Sequence, residues 1–375
     1  MIIGVPKEIK NNENRVSITS AGVHVLTKAG HKVIIEETAG LGSGISDSEY
    51  LSAGAEIVKD NKEVFERAQT IVKVKEPIPS EYELFKEGQT LFTYLHLAPN
   101  PSLTDALLKS KVTGIAYETV QLQDSSLPLL IPMSEVAGRM SIQVGANLLQ
   151  KYYGGAGILL GGVSGVLPAE VLIIGGGIVG MNAAKIALGF GARVIIMDIN
   201  KSKLIFIDNI FSGRVSTLIY NEYNVAEMIK RSDLVIGAVL IAGAKAPKTV
   251  TEEMVKTMKK GSVIVDVAID QGGSIETIDR VTTHDNPSYE KHGVIHYSVA
   301  NMPGAVPRTS TYALTGVVLP YLLQIANKGA INAMLDDEAL LCGLNTFNGS
   351  VTYKAVAENL KLDFVAADIA LKACI

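Results

Sequence analysis

The chain has 375 residues, of which 47% are hydrophobic and 19% are charged, and its formal net charge at pH 7 is −4. A chain this apolar can bury large cores, which excludes global disorder, and its weakly acidic balance excludes the basic footprint of a nucleic-acid-binding protein. The length predicts two or three domains.

The first third of the chain alternates short apolar runs with amphipathic segments. This alternation predicts an α/β domain with a largely parallel sheet. Lys7, Glu8 and Lys10 interrupt the apolar start before the core of a signal peptide could form, so we expect no such leader there. The predicted strands are residues 2–5, 32–36, 70–74, 91–97 and 112–117, and the predicted helices begin near residues 21, 47, 61 and 102.

A polar segment and a long helix follow. Residues 121–132 contain two prolines and two serines, which is typical of a crossing between domains. Ser134 then precedes Glu135 and an apolar-faced stretch that continues to about residue 150. The pattern predicts a helix with Ser134 as its N-cap, because a serine oxygen and an early acid both suit the positive end of a helix.

The stretch between Lys151 and Lys185 is long and apolar enough to suggest a membrane span, since its only charge is Glu170. Its many glycines, Pro168 and the triple glycine at residues 175–177 argue against a continuous helix. We therefore predict two buried elements joined by a tight turn, and no membrane partner.

The middle third predicts a doubly wound dinucleotide-binding fold, because it contains six strand candidates separated by helical segments. One connecting helix is well marked, with Thr251 as its N-cap, Glu252 and Glu253 in its first turn, lysines near its end and Gly261 as its stop. The six strand candidates are residues 170–174, 193–197, 215–219, 234–239, 262–267 and 293–298.

The first of these strands leads into a GxGxxG motif, formed by Gly175, Gly177 and Gly180. A helix, a second strand and Asp198 follow at the spacing of a dinucleotide fingerprint, which makes the motif much more specific than the glycines alone. Gly175 permits the tight turn, Gly177 lets the backbone approach a pyrophosphate, and Gly180 lets the helix pack closely on the strand. The helix N-terminus offers N–H groups and a positive dipole to the phosphates.

Asp198 favours NAD over NADP, because its carboxylate would accept hydrogen bonds from the adenine ribose and repel a 2′-phosphate. Lys201 and Lys203 nearby leave NADP open as a cofactor. A glycine-rich turn that ends in a surface aspartate, or an FAD site, would show the same local pattern.

From about residue 308 the pattern is mostly helical, with candidate segments at residues 317–325, 338–344 and 353–359. We expect this part to return to the first domain. The predicted division is a substrate domain of residues 1–130 and 308–375 and a NAD-binding Rossmann domain of residues 131–307. Cys342 and Cys374 belong to no CxxC pair, which favours neither a disulfide framework nor a zinc site and is typical of the cytoplasm.

Several motifs spread over both predicted domains form a recognisable set. In chain order they are NRV ending at residue 16, VKVKEP, LFTYLHLA, PMSEVAGRMS, GAVLIAGAKAP, VIVDVAIDQGG, THDNP and VANMPGAVPRTST. Together they resemble the family of bacterial L-alanine dehydrogenases and the related NAD-binding subunits of proton-translocating transhydrogenase, from residue 1 to about residue 361. The resemblance implies a homohexamer that catalyses reversible NAD-dependent oxidative deamination of L-alanine to pyruvate and ammonium.

The resemblance also implies the roles of the site residues. Arg15 would hold the substrate carboxylate, Lys75 would contact the carbonyl oxygen or amine, and His96 and Asp270 would be catalytic, with their shares of the proton transfers left open. From spacing alone, Arg15 and Lys75 read as surface charges and His96 as a core histidine, although Lys75 and His96 are both expected where predicted strands end. Asp266 is a competing carboxylate with an expected structural role. Met133 and Asn301 would complete the substrate site.

The cofactor contacts implied by the resemblance extend beyond the glycine motif. Tyr220 replaces a serine that contacts the cofactor in several relatives. Leu323 and Asn327 stand where some members bind a metal through Glu and His, so we predict no metal. The implied cofactor residues are Ser134, Gly175, Gly177, Ile178, Val179, Gly180, Asp198, Lys203, Val239, Leu240, Val267, Ala268, Ile269, Asp270, Val299, Asn301 and Met302.

Three other functions stay open at this stage. A transhydrogenase-type hydride carrier shares the family, but Arg15, Lys75 and His96 favour an amino-acid substrate. A 2-hydroxyacid dehydrogenase would take its catalytic residues mainly from the cofactor domain. A non-catalytic NAD sensor would keep the glycines and Asp198 and would not need the substrate residues.

Overall fold

The chain forms two compact units. The computed structural model describes residues 1–239 and 246–372, and of residues 270 and 271 it describes only the backbone. Met1–Met133 and the chain from Val306 onward form the first unit, and Ser134–Ala305 form the second. The second unit is therefore an insertion between two parts of the first.

Both units alternate strands and helices. In chain order the strands are β1 (Ile2–Val5), β2 (Lys32–Glu36), β3 (Glu56–Val58), β4 (Thr70–Val72), β5 (Thr90–Thr93), β6 (Thr113–Ala116), β7 (Glu170–Ile174), β8 (Arg193–Asp198), β9 (Val215–Ile219), β10 (Leu234–Gly237), β11 (Val263–Asp266), β12 (Ser288–Lys291), β13 (Val294–Tyr297), β14 (Leu344–Phe347) and β15 (Ser350–Val351). The helices are α1 (Ser20–Lys28), α2 (Asp47–Ser52), α3 (Asn61–Arg67), α4 (Pro101–Lys109), α5 (Ile131–Leu148), α6 (Ile178–Gly189), α7 (Lys201–Phe211), α8 (Glu222–Ile229), α9 (Glu252–Lys256), α10 (Pro307–Lys328), α11 (Ala330–Asp336), α12 (Glu338–Cys342), α13 (Lys354–Leu360) and α14 (Ala367–Lys372).

The first unit contains an eight-stranded sheet in the order β15-β14-β6-β5-β4-β1-β2-β3. The strands β1 to β6 are all parallel, and β14 runs antiparallel beside β6. Their apolar residues pack against helices in a buried cluster that includes Ile34, Phe65, Ile71, Leu91 and Leu103. Burial of both faces explains why these strands read as continuous apolar runs.

The second unit contains a seven-stranded sheet in the order β12-β13-β11-β10-β7-β8-β9. Six of these strands are parallel, and β12 pairs antiparallel with β13 at the edge. Numbered by themselves, the six parallel strands have the order 3-2-1-4-5-6, which is that of the dinucleotide-binding fold. The predicted two-domain α/β class with a doubly wound sheet is confirmed.

Helix boundaries follow the capping chemistry only in part. Thr251 caps α9 as predicted, since its side chain accepts from the backbone N–H of Met254. The helix ends at Lys256, before the predicted stop at Gly261, and the Thr257 hydroxyl donates to the carbonyl of Met254 there.

The predicted N-cap of α5 is wrong. The helix begins at Ile131, so Ser134 lies inside its first turn. Pro132 fits this first turn because the opening residues of a helix need no backbone donor.

The C-terminal part is mostly helical, as predicted, but the sequence did not lead us to expect strands there. It contains the hairpin of β14 and β15, whose turn consists of Asn348 and Gly349 with φ values of 44° and 80°. An Asn-Gly pair between two extended runs is a hairpin signal, because both residues tolerate positive φ. The short β3 and the edge strand β12 were also missed.

The apolar stretch between Lys151 and Lys185 contains β7 and the start of α6, joined by a tight turn. Over the described ranges, no helix combines the length and the apolar character that a bilayer span requires. The expectation of two buried elements in this stretch is confirmed.

Candidate functional site

The carboxyl ends of four neighbouring parallel strands form one edge of the first sheet. These strands are β1, β4, β5 and β6, which lie side by side in the order β6-β5-β4-β1. In open parallel sheets this edge is where ligands bind. Charged or titratable residues follow each of the four strands, and they include Glu8, Glu13 and Arg15 after β1, Lys73, Lys75 and Glu76 after β4, His96 after β5, and Glu118 after β6.

Arg15 is buried, with only 2% of its side chain exposed. Its Nε donates to Glu13 Oε1 at 2.6 Å and its Nη2 donates to Glu13 Oε2 at 2.5 Å. Its Nη1 lies 3.2 Å from the sulfur of Met133, so two predicted substrate residues are in direct contact. Burial alone would lower the pKa of Arg15, but Glu13 raises it, and the guanidinium stays charged. Glu13 therefore holds the guanidinium of Arg15 in one orientation, as a cation with several N–H donors in one plane.

Lys75 lies on a segment whose backbone is held from two sides. Glu8 Oε1 accepts from the backbone N–H groups of Val74 at 2.5 Å and Lys75 at 3.3 Å. The hydroxyl of Thr93, at the end of the adjacent strand, donates to the carbonyl of Lys75 at 3.1 Å. The backbone position of Lys75 is therefore fixed by side chains.

Lys73 is a second cation on this segment, and it is almost completely buried, with 1% of its side chain exposed. Its Nζ lies 3.2 Å from Glu8 Oε2 and donates to Glu81 Oε1 at 2.9 Å. Burial lowers the pKa of Lys73, but the two carboxylates outweigh burial and raise it. A buried ammonium between two carboxylates is fully paired, which is the condition under which a buried charge is tolerated.

His96 has a left-handed backbone, with φ of 47°. Its backbone N–H donates to Glu118 Oε1 at 2.6 Å, and the N–H of Leu95 donates to the same atom at 3.1 Å. The imidazole stacks on Tyr94 at a centroid distance of 5.9 Å and an interplanar angle of 4°, and the Tyr94 hydroxyl donates to the carbonyl of Leu129 at 2.7 Å. The ring remains accessible, with 44% of its side chain exposed.

These side chains also act on one another electrostatically. Burial would raise the pKa of Glu76, but Lys75, Lys10 and His96 together lower it. Lys75 and His96 therefore both lie near the Glu76 carboxylate, in agreement with their positions after adjacent strands. The first unit thus gathers a paired guanidinium, an ammonium and an accessible imidazole at one sheet edge.

Two sequence expectations about this edge are wrong in detail. β4 ends at Val72 and β5 ends at Thr93, so Lys75 and His96 follow their strands at a distance and do not terminate them. The backbone N–H groups that a longer strand would use are bound by Glu8 and Glu118. The sequence analysis did not single out Glu8, Glu13 and Glu118. Each is an acid beside an apolar run, and an acid in such a place is rarely buried unless a partner pairs with it. That position was the signal that could have identified them.

The second unit forms its glycine turn as the fingerprint requires. Gly175 has φ of 110°, and a Cβ there would lie 2.5 Å from the carbonyl oxygen of Ala238. A Cβ on Gly180 would lie 1.9 Å from the carbonyl oxygen of Gly175. A Cβ on Gly177, by contrast, would meet nothing within 4 Å. Two glycines therefore serve close packing, and the third borders open space at the N-terminus of α6.

Asp198 ends β8 and is buried against this turn. Its Oδ2 accepts from the backbone N–H of Gly176 at 2.8 Å, and its Oδ1 accepts from Asn200 at 2.8 Å. Lys203 Nζ is 3.9 Å from Oδ2. Each carboxylate oxygen has a second lone pair, so the group can still accept from a ligand hydroxyl.

Asp266 has the structural role expected of it. Its carboxylate accepts from the backbone N–H groups of Ala268, Ser274 and Ile275 and from the Ser274 hydroxyl. Burial raises the pKa of Asp266, and these hydrogen bonds counteract the rise. They tie the end of β11 to the short 3₁₀ helix Val267–Gln271 and to residues 274 and 275 after it. Asp270 belongs to this helix by its backbone, while its side chain lies outside the described residues.

Most of the other predicted cofactor residues come after parallel strands of the same sheet. Val239 follows β10, and Leu240 lies outside the described residues. Tyr220 follows β9, and its hydroxyl donates to the carbonyl of Thr249 at 3.2 Å. Asn301, which follows β13, has φ of 61°. The remaining predicted contacts are Ser134 in α5, Ile178 and Val179 in the first turn of α6, Val267, Ala268 and Ile269 after β11, and Val299 and Met302 after β13.

The chain is similar to known proteins over its whole length. Residues 4–137 match the N-terminal domain and residues 141–354 match the C-terminal domain of the family Alanine dehydrogenase/PNT. Alanine dehydrogenase of Methanococcus maripaludis is 68% identical over 99% of this chain and 100% of that protein.

Two solved structures have a similar fold. A structure of L-alanine dehydrogenase has a TM-score of 0.94 and 49% identity, and the match covers 96% of this chain and 99% of that one. The transhydrogenase structure from Sinorhizobium meliloti has a TM-score of 0.80 and 26% identity, over 95% of this chain and 100% of that one. Identity is thus higher to the dehydrogenase than to the transhydrogenase. The chain belongs to the Alanine dehydrogenase/PNT family.

Proposed function

We propose that the chain is an L-alanine dehydrogenase that catalyses the reaction L-alanine + NAD⁺ + H₂O ⇌ pyruvate + NH₄⁺ + NADH + H⁺. The observation that carries the proposal is the set of Arg15, Lys75 and His96 at one sheet edge in a chain that is 68% identical to an alanine dehydrogenase. A guanidinium, an ammonium and an accessible imidazole are the groups that an amino-acid substrate with a carboxylate and a reacting amine needs.

Arg15 binds the substrate carboxylate in this proposal. Its fork is held by Glu13, so little side-chain entropy is lost when the substrate binds. Met133 lines the substrate beside it. Lys75 stabilises the negative charge that develops on the substrate oxygen when water adds and when pyruvate forms.

NAD binds to the second unit at the glycine turn. The residues fit a dinucleotide, because the free space at Gly177 and the N-terminus of α6 suit a pyrophosphate and Asp198 suits the ribose hydroxyls. Lys203 and the residues at the carboxyl ends of β10, β11 and β13 complete the proposed cofactor site. When bound, NAD⁺ supplies the acceptor for the hydride from the substrate Cα.

His96 transfers protons to and from the substrate. The amine of alanine must be neutral when Cα loses its hydride, water must then lose a proton as it adds to the imine, and ammonia must gain one as it leaves. An imidazole can both accept and donate a proton, so one group can serve all three steps. Asp270 orients the water or shares these transfers.

The same proposal includes NAD specificity, a cytoplasmic location and a homo-oligomer, for which a hexamer is the family expectation. Light scattering of the purified protein measures the oligomer directly. A monomer in solution would contradict that part of the proposal and leave the chemistry untouched.

The decisive experiment follows NADH absorbance in both directions. L-alanine with NAD⁺ at alkaline pH should produce NADH, and pyruvate with ammonium should consume it. Neither signal should appear when NADP replaces NAD. Bound NADH without turnover of alanine or pyruvate would refute the proposal and favour a transhydrogenase-type carrier or a sensor.

A further inference from the structure

Two glutamates bind the backbone beside the proposed substrate residues in the same way. Glu8 accepts from the consecutive N–H groups of Val74 and Lys75, and Glu118 accepts from those of Leu95 and His96. In both cases the two N–H groups come shortly after a parallel strand, at the edge where the substrate is proposed to bind. A repeated arrangement at two adjacent strands calls for a common explanation.

We propose that Glu8 and Glu118 are positioning residues, each of which ends a strand early by binding two successive N–H groups and so fixes Lys75 and His96 at the substrate edge. The proposal rests on the assignment of Lys75 and His96 to the substrate under the proposed function. It adds two residues to the machinery that touch the backbone of the acting residues and do not touch the substrate.

The geometry at His96 shows what the carboxylate achieves. A left-handed φ of 47° is unfavourable for a residue with a β-carbon, and it persists only where the surroundings impose it. Glu118 Oε1, 2.6 Å from the backbone nitrogen of His96, imposes it with a charge-assisted hydrogen bond. The same oxygen lies 3.7 Å from His96 Nδ1, beyond hydrogen-bond distance, so the carboxylate acts mainly through the backbone.

The two glutamates come from elements that are well placed for this role. Glu118 belongs to the 3₁₀ helix Tyr117–Thr119, directly after β6, which lies beside β5. Glu8 follows β1, which lies beside β4. Each glutamate thus reaches from the end of one strand to the segment after its neighbour. Burial raises the pKa of Glu8, and buried Lys73 together with the N–H of Val74 counteracts the rise.

The test compares two variants at one position. Glu118→Gln keeps an acceptor oxygen for both N–H groups, and Glu118→Ala removes it. The readouts are kcat for alanine oxidation, NADH affinity and hydrogen–deuterium exchange of the amides at residues 95 and 96. We expect Glu118→Ala to lower kcat roughly 10- to 100-fold and to speed exchange at both amides by a similar factor, with NADH affinity unchanged. Glu118→Gln should recover most of both losses.

The outcomes separate the alternatives. Wild-type kcat and exchange in Glu118→Ala would overturn the proposal, and so would faster exchange throughout the first unit, which would mean that Glu118 only stabilises the fold. Glu66→Ala, at an exposed glutamate of the same unit, is the matched control. If the wild-type protein fails to oxidise alanine, the proposed function fails while the exchange data still decide the backbone role of Glu118.

A second pair of variants extends the test to Glu8. Glu8→Gln keeps the acceptor for Val74 and Lys75 but places an amide beside the Lys73 ammonium. We expect a lower melting temperature with protection at residues 74 and 75 retained, whereas Glu8→Ala should lose that protection. Loss of protection in Glu8→Gln to the same extent as in Glu8→Ala would contradict the proposed role. Where Glu8→Ala does not fold, Glu8→Gln alone decides: protection at residues 74 and 75 supports the proposed role, and its loss contradicts it.

Discussion

The carboxyl edges of the two parallel sheets differ in the groups that they present. At the edge of the first sheet, charged side chains dominate, and carboxylates hold a guanidinium, an ammonium and the backbone of a histidine. Among the described residues at the edge of the second sheet, glycines and backbone N–H groups dominate, and the carboxylates Asp198 and Asp266 accept from such N–H groups. The first edge should therefore be sensitive to the chemistry of single side chains, and the second to the addition of single carbon atoms.

The difference follows from the ligands proposed for each unit. A small amino acid has few atoms, so its recognition needs strong, oriented groups on the protein. A dinucleotide is long and carries phosphates, which bind well to backbone N–H groups wherever the chain can approach closely. The carboxyl edge of a parallel sheet can thus bind two different kinds of ligand, depending on the residues that follow its strands.

The largest expected effect is at His96. His96→Ala removes the proposed acid–base group, so kcat for alanine oxidation should fall roughly 10²- to 10⁴-fold while NADH affinity stays unchanged. Steady-state kinetics and NADH fluorescence titration measure both quantities. His24→Ala, at an exposed histidine of the same unit, should behave as the wild type. A kcat of His96→Ala close to the wild-type value would show that the histidine is not the acid–base group.

At the second edge, Gly180 and Gly177 should respond differently to one added methyl group. A Cβ on Gly180 would lie 1.9 Å from a backbone oxygen, so Gly180→Ala should destabilise the second unit by about 3 kcal/mol. A Cβ on Gly177 would meet no atom within 4 Å, and Gly177→Ala should change stability by less than about 1 kcal/mol. Thermal and urea unfolding compare the two. Equal destabilisation by both would show that the space at Gly177 is not free.

The interiors of the two units should also differ in their response to acid. In the second unit, burial lowers the pKa of His296, in β13, from 6.5 to about 4. In the first unit, the buried base Lys73 is paired with carboxylates, which raise its pKa. The unfolded chain protonates this histidine below pH 6.5, so its contribution to stability is complete above that pH and is lost as the pH falls towards 4. The expected loss is about 3 kcal/mol.

Urea unfolding between pH 7 and pH 4 measures this loss for the second unit. His296→Gln removes the titrating group and should flatten the dependence over that interval, whereas the exposed His24→Gln should not. A wild-type unfolding midpoint that does not change with pH would contradict a neutral buried His296.

A smaller effect is expected at Asp198. Asp198→Asn keeps an acceptor for the N–H of Gly176 but removes the negative charge. The preference for NAD over NADP should therefore fall roughly 10-fold, because the repulsion of a 2′-phosphate is lost. The ratio of kcat/KM for the two cofactors measures it, with exposed Asp208→Asn as the control. An unchanged ratio would assign the discrimination to another residue.

The sequence predicted regular elements well where local chemistry decides them. The glycine fingerprint, the alternation of strands and helices and the Thr251 cap depend on residues close in sequence, and all three could be recognised. The hairpin at Asn348 and Gly349 also carried a local signal, which was missed. The Pro132 turn at the start of α5 was missed as well, because Ser134 offered a plausible cap three residues later.

The sequence could not predict features that depend on distant partners. The ends of β4 and β5 were placed too late, because the runs stay apolar while Glu8 and Glu118, 66 and 22 residues away, bind the N–H groups that would extend the ladder. Burial of Lys73 depends in the same way on Glu8 and Glu81. The candidate residues themselves were identified from motifs, but the carboxylates that hold them became visible only in the fold.

The most direct test of the division between the two edges compares Arg15→Lys with Gly177→Ala. Lysine keeps the charge beside Glu13 but loses the fork, so Arg15→Lys should raise KM for pyruvate roughly 10-fold or more with the Kd of NADH unchanged. Gly177→Ala should raise the Kd of NADH roughly 10-fold or more, because its methyl group enters the space proposed for the pyrophosphate. Weaker NADH binding in Arg15→Lys, or unchanged NADH binding in Gly177→Ala, would contradict the account.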